Sequence, residues 1–174
     1  MDRERELPEK ARIAGITVHA EFAPGDLGRL IHIHGTQNFK DYGFNYIHEA
    51  YCAQIAVDFI LNTEPKRSRA WLIKRENEVV GSVLIVERPK NQAQLRLLFV
   101  DDSVRGLKLG RWLVEESVRY TRESGFDSIH LWTVAGLDRA IAIYESTGFE
   151  RTGEKCVEEW GGNRIEVRYE LNFV

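Results

Sequence analysis

The sequence predicts an α/β domain, a mixed and mostly antiparallel sheet of about seven strands with about four helices packed on both faces. Three observations carry this expectation. Residues 93–133 read strand, helix, strand, which demands a parallel pair joined by a right-handed crossover. Turn-bounded hairpins on either side of that unit demand antiparallel neighbours. The chain has 174 residues, 43% hydrophobic and 29% charged, the balance of one globular domain that can bury a core without disulfides or metal.

Each element has its own signal. The opening residues MDRERELPEK mix both charge signs without apolar periodicity, so residues 1–12 are expected to form a loose tail and residues 13–174 a single domain. Residues 16–22 alternate Ile16, Val18 and Ala20 against Thr17, His19 and Glu21, a first strand. Pro24-Gly25-Asp26 ends it and offers Asp26 as the N-cap of a helix running towards Phe39. Tyr42-Gly43-Phe44-Asn45 breaks that helix. A second helix runs to about Leu61, its apolar side expected from Ile47, Ala50, Tyr51, Ile55, Val57, Phe59 and Ile60. Residues 70–74 and 79–86 flank a hairpin turn, Glu76-Asn77-Glu78, in which Asn77 tolerates a positive φ. After the turn at Arg88-Pro89-Lys90-Asn91, residues 93–100 form the next strand, and its apolar run Leu97-Leu98-Phe99-Val100 suits the centre of the sheet. A helix then reaches Ser124, with Gly110, Leu113, Val114, Ser117, Val118 and Thr121 on one stripe and Gly125 as its stop. Residues 128–133 make a short strand and residues 137–147 a helix that Gly148 ends. Two closing strands, about 150–159 and 164–173, meet across Gly161-Gly162-Asn163.

Composition excludes several classes. A formal net charge of −3 is unlike the dense basic face of a nucleic-acid or membrane-surface binder. No apolar run approaches the roughly 18 residues of a membrane span, and no signal-peptide pattern opens the chain, so a cytoplasmic protein is expected. Cys52 and Cys156 stand far apart, outside any zinc spacing, and read as reduced thiols. His32 and His34 lie two apart on a helix, do not share a face, and read as surface histidines; no metal is expected.

The most informative local feature is Arg105-Gly106-Leu107-Lys108-Leu109-Gly110 between the apolar strand and its helix. A helix N-terminus offers unpaired N–H groups and a positive dipole end to a phosphate. Gly106 and Gly110 permit close approach, and Arg105 and Arg111 add charge. The pattern is neither a Walker A loop nor G-x-G-x-x-G, and glycines placed for helix–sheet packing explain it as well.

The stretch LRLLFVDDSVRGLKLGRWLVEESV, followed by IHLWT and AIAIYESTGF, resembles the GNAT superfamily of acyl-CoA-dependent N-acyltransferases. Arg105, Gly106 and Gly110 match its R-G-x-G-x-G signature. More narrowly, the segments DLGRLIHIHG, KDYGF, VDFI, VVGSVLIV, LRLLFV and LWT are similar to the acetyltransferase domain that some bacterial proteins carry behind a MarR-type DNA-binding domain, a part expected to be absent from this chain. The resemblance implies a GNAT-like fold with a bulge near residues 98–100 that splays this strand from residues 128–133. It implies acetyl-CoA as co-substrate and a small-molecule or peptide amine as acceptor, with no nucleic-acid or membrane partner. The backbone of Leu98, Phe99 and Val100 would hold the thioester and pantetheine. Arg105, Gly106, Leu107, Lys108, Leu109 and Gly110, with Arg111, would cradle the pyrophosphate. Tyr144 matches the tyrosine of the family's Y-x-x-x-G-F helix end, which commonly protonates the departing thiolate. A phenol with an ordinary pKa of about 10 needs help from its site for that role, and without the match Tyr144 reads as a core residue on the apolar face shared with Leu137, Ala140 and Ile141.

Three positions depart from the family. Lys108 stands where glycine is usual, Leu137 where an asparagine often contacts the cofactor, and Asp102 where proline is common. Asp101 and Asp102 are expected to face solvent or cap the helix. No general base is evident: Glu87, His130 or a bound water are the candidates. Tyr42, Phe44 and Asn45 lie where the superfamily often borders its acceptor pocket, and Trp71, Trp112, Trp132 and Trp160 read as core or pocket walls. A non-catalytic acyl-CoA-binding regulatory module is the alternative function. The final hairpin leaves an edge that fits either a monomer or a homodimer.

Overall fold

The computed structural model describes residues 5–62 and 67–173. Among these, the strands are β1 (Ile16–His19), β2 (Arg69–Arg75), β3 (Glu78–Arg88), β4 (Gln92–Val100), β5 (Ser128–Val134), β6 (Glu150–Val157) and β7 (Arg164–Asn172). The helices are α1 (Glu9–Ile13), α2 (Asp26–Tyr42), α3 (Tyr46–Asn62), α4 (Leu109–Glu123) and α5 (Asp138–Ser146), with a 3-10 turn over Asp102–Val104. All strands join one sheet in the order β1-β2-β3-β4-β5-β7-β6. β4 and β5 form its parallel pair, and every other neighbouring pair is antiparallel. The mixed sheet expected from the crossover and the flanking hairpins is therefore present. The last strand enters between β5 and β6, which leaves β6 at the edge.

Alternation along the strands divides the apolar residues between two cores. In β2, Trp71 and Ile73 face α4 together with Val83, Ile85, Leu113 and Ile129. Ala70 and Leu72 face the other way, against Leu30 of α2 and Cys52 and Ala56 of α3. The period-2 pattern of a sheet covered on both faces produces this split. The β2–β3 hairpin closes through Glu76 (φ 52°) and Asn77 (φ 65°), two consecutive left-handed residues of the kind that match the strand twist.

Several expectations need correction. The segment read as a loose tail contains α1: Ala11 is 0% exposed in the larger core, and the Trp112 indole donates to the Glu6 carbonyl at 3.0 Å. Residues 1–4 lie outside the described residues. β1 ends at His19, three residues early. Gly25 (φ 99°), not Asp26, is the N-cap of α2. Asp26 is instead buried in the first turn, where its carboxylate accepts from the Ala23 N–H (2.7 Å) and pairs with buried Lys74 (2.6 Å). In α3 the buried face is His48, Cys52 and Ala56, with Ile55 and Phe59 beside them. Ile47, Tyr51 and Ile60, expected inside, are exposed, because small or polar residues at i, i+4 and i+8 let the helix lie close to the sheet. His32 is exposed as expected, but His34 is 5% exposed and faces the sheet.

Candidate active site

β4 and β5 stay together only where Gln92, Ala93 and Gln94 meet Ser128, Ile129 and His130. Beyond Gln94 the edge of β4 that faces β5 has no strand partner, so its backbone groups border a gap in the sheet. A bulge accompanies the divergence. Ser82 pairs with Phe99 and Leu84 with Arg96, so Leu97 and Leu98 together oppose Val83. Leu97 takes φ 49°, a left-handed conformation that costs a residue with a Cβ about 1–2 kcal/mol. The buried Ser82 hydroxyl donates to the Leu97 carbonyl at 2.8 Å and holds it there.

The turn after β4 is pinned at both ends. The Asp101 N–H donates to the Val80 carbonyl (2.8 Å), and the Asp101 carboxylate accepts from the Ser103 N–H (2.8 Å), capping the 3-10 turn. Asp102 pairs with Lys40 (2.8 Å) and with Arg105. The Lys40 contact holds the Asp102 carboxyl below its ordinary value and raises the Lys40 ammonium. Both aspartates thus serve the turn, Asp101 by capping the 3-10 segment and Asp102 by ion pairs, and neither caps α4. Gly106 (φ 82°) and Lys108 (φ 61°) are both left-handed, and Lys108 is the N-cap of α4. The first helical bond runs from the Trp112 N–H to the Lys108 carbonyl (3.1 Å), so the N–H groups of Leu109, Gly110 and Arg111 have no partner within the helix.

These N–H groups border a cavity of about 530 Å³ between the end of β4, α2 and α5. Of the residues expected at the cofactor, Leu98, Phe99, Val100, Arg105, Gly106, Lys108, Leu109, Gly110 and Arg111 line it. Leu107 does not, because it packs against the larger core. Arg105 is held by Asp41 at 2.7 Å, and Arg111 by Ser146 at 3.0 Å. Lys108 and Arg139, which also face the cavity, form no ion pair among the described residues. A Cβ at Gly106 would meet nothing within 4 Å, so its positive φ is what requires glycine, whereas one at Gly110 would press on Ile143 Cδ1 at 3.4 Å. Gly110 therefore sits at the contact of α4 with α5, where a Cβ would reach van der Waals distance of Ile143 and Val100.

A second, smaller chamber of about 160 Å³ adjoins the first; Asn38, Leu98, Phe99, Leu137 and Ala140 line both. Tyr144 reaches this chamber from α5. It is 5% exposed, its ring lies 5.9 Å from Phe149 and 6.2 Å from Tyr169, and burial pushes its phenol well above the ordinary value. No hydrogen bond from a described residue reaches its hydroxyl. The opposite wall is aromatic: Phe44, His48, Tyr51 and Trp160 pack with centroids 4.5 to 6.4 Å apart. Asn45, in the α2–α3 break, accepts from the His48 N–H and donates to the Glu159 carbonyl, which ties this wall to the β6–β7 turn.

A sequence profile of the acetyltransferase (GNAT) family matches residues 29–149, which hold the splayed strands, the turn and Tyr144. The chain belongs to the acetyltransferase (GNAT) family. Human N-acetyltransferase 8 is 30% identical over 109 residues, 60% of this chain and 47% of that protein. An uncharacterized N-acetyltransferase of Escherichia coli, YjgM, is 34% identical over 83 residues, 46% of this chain and 50% of that one. The chain thus spans about half the length of these curated relatives. Among solved structures, an acetyltransferase from Streptococcus agalactiae superposes with a TM-score of 0.71 at 22% identity, covering 91% of this chain and 99% of that one. A Bacillus anthracis acetyltransferase in complex with acetyl coenzyme A superposes with a TM-score of 0.55 at 20% identity, over 64% of this chain and 66% of that one. These two likenesses show the shared fold.

Within this GNAT domain the two base candidates fall away from the chamber. Glu87 pairs with Arg67 (2.8 Å) in a neighbouring groove, and His130 does not line the chamber. Residues not anticipated take that place: His34, His48 and Glu166 all line it. Burial lowers both histidines to about 4, and His48 adds to the effect on His34, so each is neutral at pH 7. Glu166 pairs with Lys155 at 2.9 Å. Trp160 is a chamber wall, Trp132 lines it in part, and Trp71 and Trp112 are core. Burial raises the Cys52 thiol to about 12, which leaves it inert at neutral pH. Among the described residues no cluster could hold a metal ion, and no helix is long and apolar enough to cross a membrane.

Proposed function

We propose that this chain is an N-acetyltransferase that moves an acetyl group from acetyl-CoA to a primary amine by direct attack. The observation that carries the reading is the continuous space between the β4–β5 gap, the α4 N-terminus and the buried Tyr144 hydroxyl. Its residues fit a phosphate-bearing thioester: a glycine turn, unpaired helix N–H groups and unpaired cations stand at one end, an open strand edge in the middle and a phenol at the other. Bound acetyl-CoA supplies an electrophilic thioester carbonyl and a thiol leaving group. The backbone of Leu98, Phe99 and Val100 would orient it along the unpaired edge of β4. Lys108, Arg111 and the N–H groups of Leu109 and Gly110 would bind its pyrophosphate. Tyr144 would hold a proton at its Oη for the sulfur, and its raised pKa keeps that proton in place at neutral pH. The incoming amine gives up a proton as its nitrogen bonds to the carbonyl carbon and the carbon–sulfur bond breaks. Neutral His34, neutral His48 and Glu166 border the chamber to accept that proton, directly or through water.

A lysine where the family's turn usually has glycine favours the alternative of a non-catalytic acyl-CoA-binding module, but the backbone of Lys108 removes that objection. It adopts the left-handed conformation that glycine would supply, so the turn keeps the shape a phosphate needs. Within the family we group the chain with the acetyltransferase domains found behind MarR-type DNA-binding domains, and we expect it in the cytoplasm as a monomer or homodimer. The test is thiol release from acetyl-CoA across an amine panel, with Tyr144→Phe beside the parent protein. We expect kcat to fall on the order of 10²–10⁴-fold with acetyl-CoA affinity unchanged. Equal kcat in the two proteins would sink the assigned role.

A further inference from the structure

The aromatic chamber opens into a larger groove of about 640 Å³ that runs along α3 over the ends of β3 and β4; Tyr51, Ile55 and Arg96 line both spaces. At their junction two arginines converge on one neutral side chain. Arg88 Nε donates to Gln94 Oε1 at 2.7 Å, and an Arg96 terminal nitrogen donates to the same oxygen at 3.3 Å. Gln94 is 7% exposed, and it cannot neutralise either charge. Arg96 also donates to the Tyr51 hydroxyl at 2.9 Å, which fixes its plane against α3.

Neither arginine forms an ion pair among the described residues. Two carboxylates do line the groove; among the described residues neither pairs with these arginines, although Asp58 and the Tyr51 hydroxyl lie near enough to favour the Arg88 charge. Glu87 pairs with Arg67, and Asp58 accepts from Gln54 and Asn62. Two like charges held at one uncharged oxygen repel, and burial adds to the cost. Arg88 is accordingly held below the ordinary arginine value, first by burial and then by Arg96, while remaining cationic. No described residue accepts from its two terminal nitrogens. These form the planar fork that matches a carboxylate. Arg96 lies two residues before Leu98, across the Leu97 bulge, and the two line the same chamber.

We propose that Arg88 and Arg96, set by Gln94 and Tyr51, form a carboxylate subsite, so that the acceptor is a small amino acid whose amine enters the chamber while its carboxylate rests on the two guanidiniums. The aromatic wall would receive its side chain. This rests on the acetyl-transfer reading above, and a binding readout keeps the two separable.

The experiment compares L-amino acids with their primary amides, which keep the amine and lose the negative charge. Thiol release from acetyl-CoA and calorimetric binding of the same compounds are both measured. In the parent protein each accepted amino acid should exceed its amide about tenfold or more in kcat/KM, as a charge-assisted pair gives, and should bind more tightly by a similar factor. Arg88→Gln and Arg96→Gln should each bring that ratio towards unity, mainly through KM, with acetyl-CoA affinity unchanged. Arg88→Lys should retain part of the preference. Turnover or binding indifferent to the carboxylate, or a preference that survives both glutamine variants, would overturn the subsite while leaving acetyl transfer standing. Carboxylate-dependent binding lost in the variants, without acetyl transfer to any compound, would support the subsite and refute the reaction.

Discussion

Lys108 occupies a glycine's conformation, and that gives two effects that can be separated. At φ 61° and ψ 19° its Cβ crowds its own backbone, at a cost of about 1–2 kcal/mol. Glycine there removes the crowding but gives the unfolded chain more freedom, worth roughly 0.5–1 kcal/mol in the other direction. Lys108→Gly should therefore stabilise the protein by about 0.5–1 kcal/mol, a rise in Tm of roughly 1–4 °C for a chain of this size. Lys108→Ala keeps the Cβ and should show no such gain. Both variants lose the same exposed ammonium, which has no ion pair among the described residues and faces the turn cavity. An exposed charge contact is worth up to about 1 kcal/mol, so both should bind coenzyme A up to about fivefold more weakly, and less so at high salt. Thermal melts and calorimetry with coenzyme A measure the two effects on the same samples. Equal melting of the glycine and alanine variants would refute the backbone argument. Unchanged or improved affinity in both would refute the phosphate contact.

Two further outcomes follow from the same site. Ser82→Ala removes the hydroxyl that donates to the Leu97 carbonyl at the bulge and should cost about 1–3 kcal/mol with weaker acetyl-CoA binding; unchanged melting would mean that the bond does not hold the bulge. His34 and His48 have folded-state values of about 4, below the ordinary 6.5, so the unfolded chain binds more protons between those limits. Stability should be full above about pH 7 and fall as pH drops from 6.5 towards 4, by up to about 3 kcal/mol for each histidine. Urea midpoints taken between pH 7 and 4.5 check this, and a flat profile over that range would contradict the burial assigned to the pair.

How much of this was legible in the sequence depends on what kind of information each feature needs. The β4–α4–β5 unit could be read because apolar runs, a period of 3.6 and glycine stops are local signals. The cavity turn could be read for the same reason, save that Leu107 turns inward. The buried face of α3 could not. Apolar content pointed to Ile47, Tyr51 and Ile60, yet the side that meets the sheet is the one whose smaller His48, Cys52 and Ala56 permit close approach, a choice made by the partner surface. His34 was misassigned on the same ground, since a lone histidine carries no mark of which way its helix faces. The bulge at Leu97 left no local signal either. A leucine with positive φ contradicts its own preference, and contacts distant in sequence hold it there: the Ser82 hydroxyl on its carbonyl and the packing of its side chain with Leu30 and Leu84.

That contradiction bears on what the site does. If β4 continued in register with both neighbours, its backbone groups would be consumed by the sheet and no edge would face a ligand. Placing strain at Leu97 and again at Lys108 sets the two ends of one cavity, the open strand edge and the helix N-terminus. The two positions differ in how replaceable they are. Lys108 stands in the solvent-exposed turn, where glycine does the same conformational work at lower cost. Leu97 packs with Leu30 and Leu84 in the smaller core, so a glycine there would relieve the backbone while emptying a packed position. Strain at the turn is thus removable without loss of structure, whereas strain at the bulge is bound to the packing that opens the sheet.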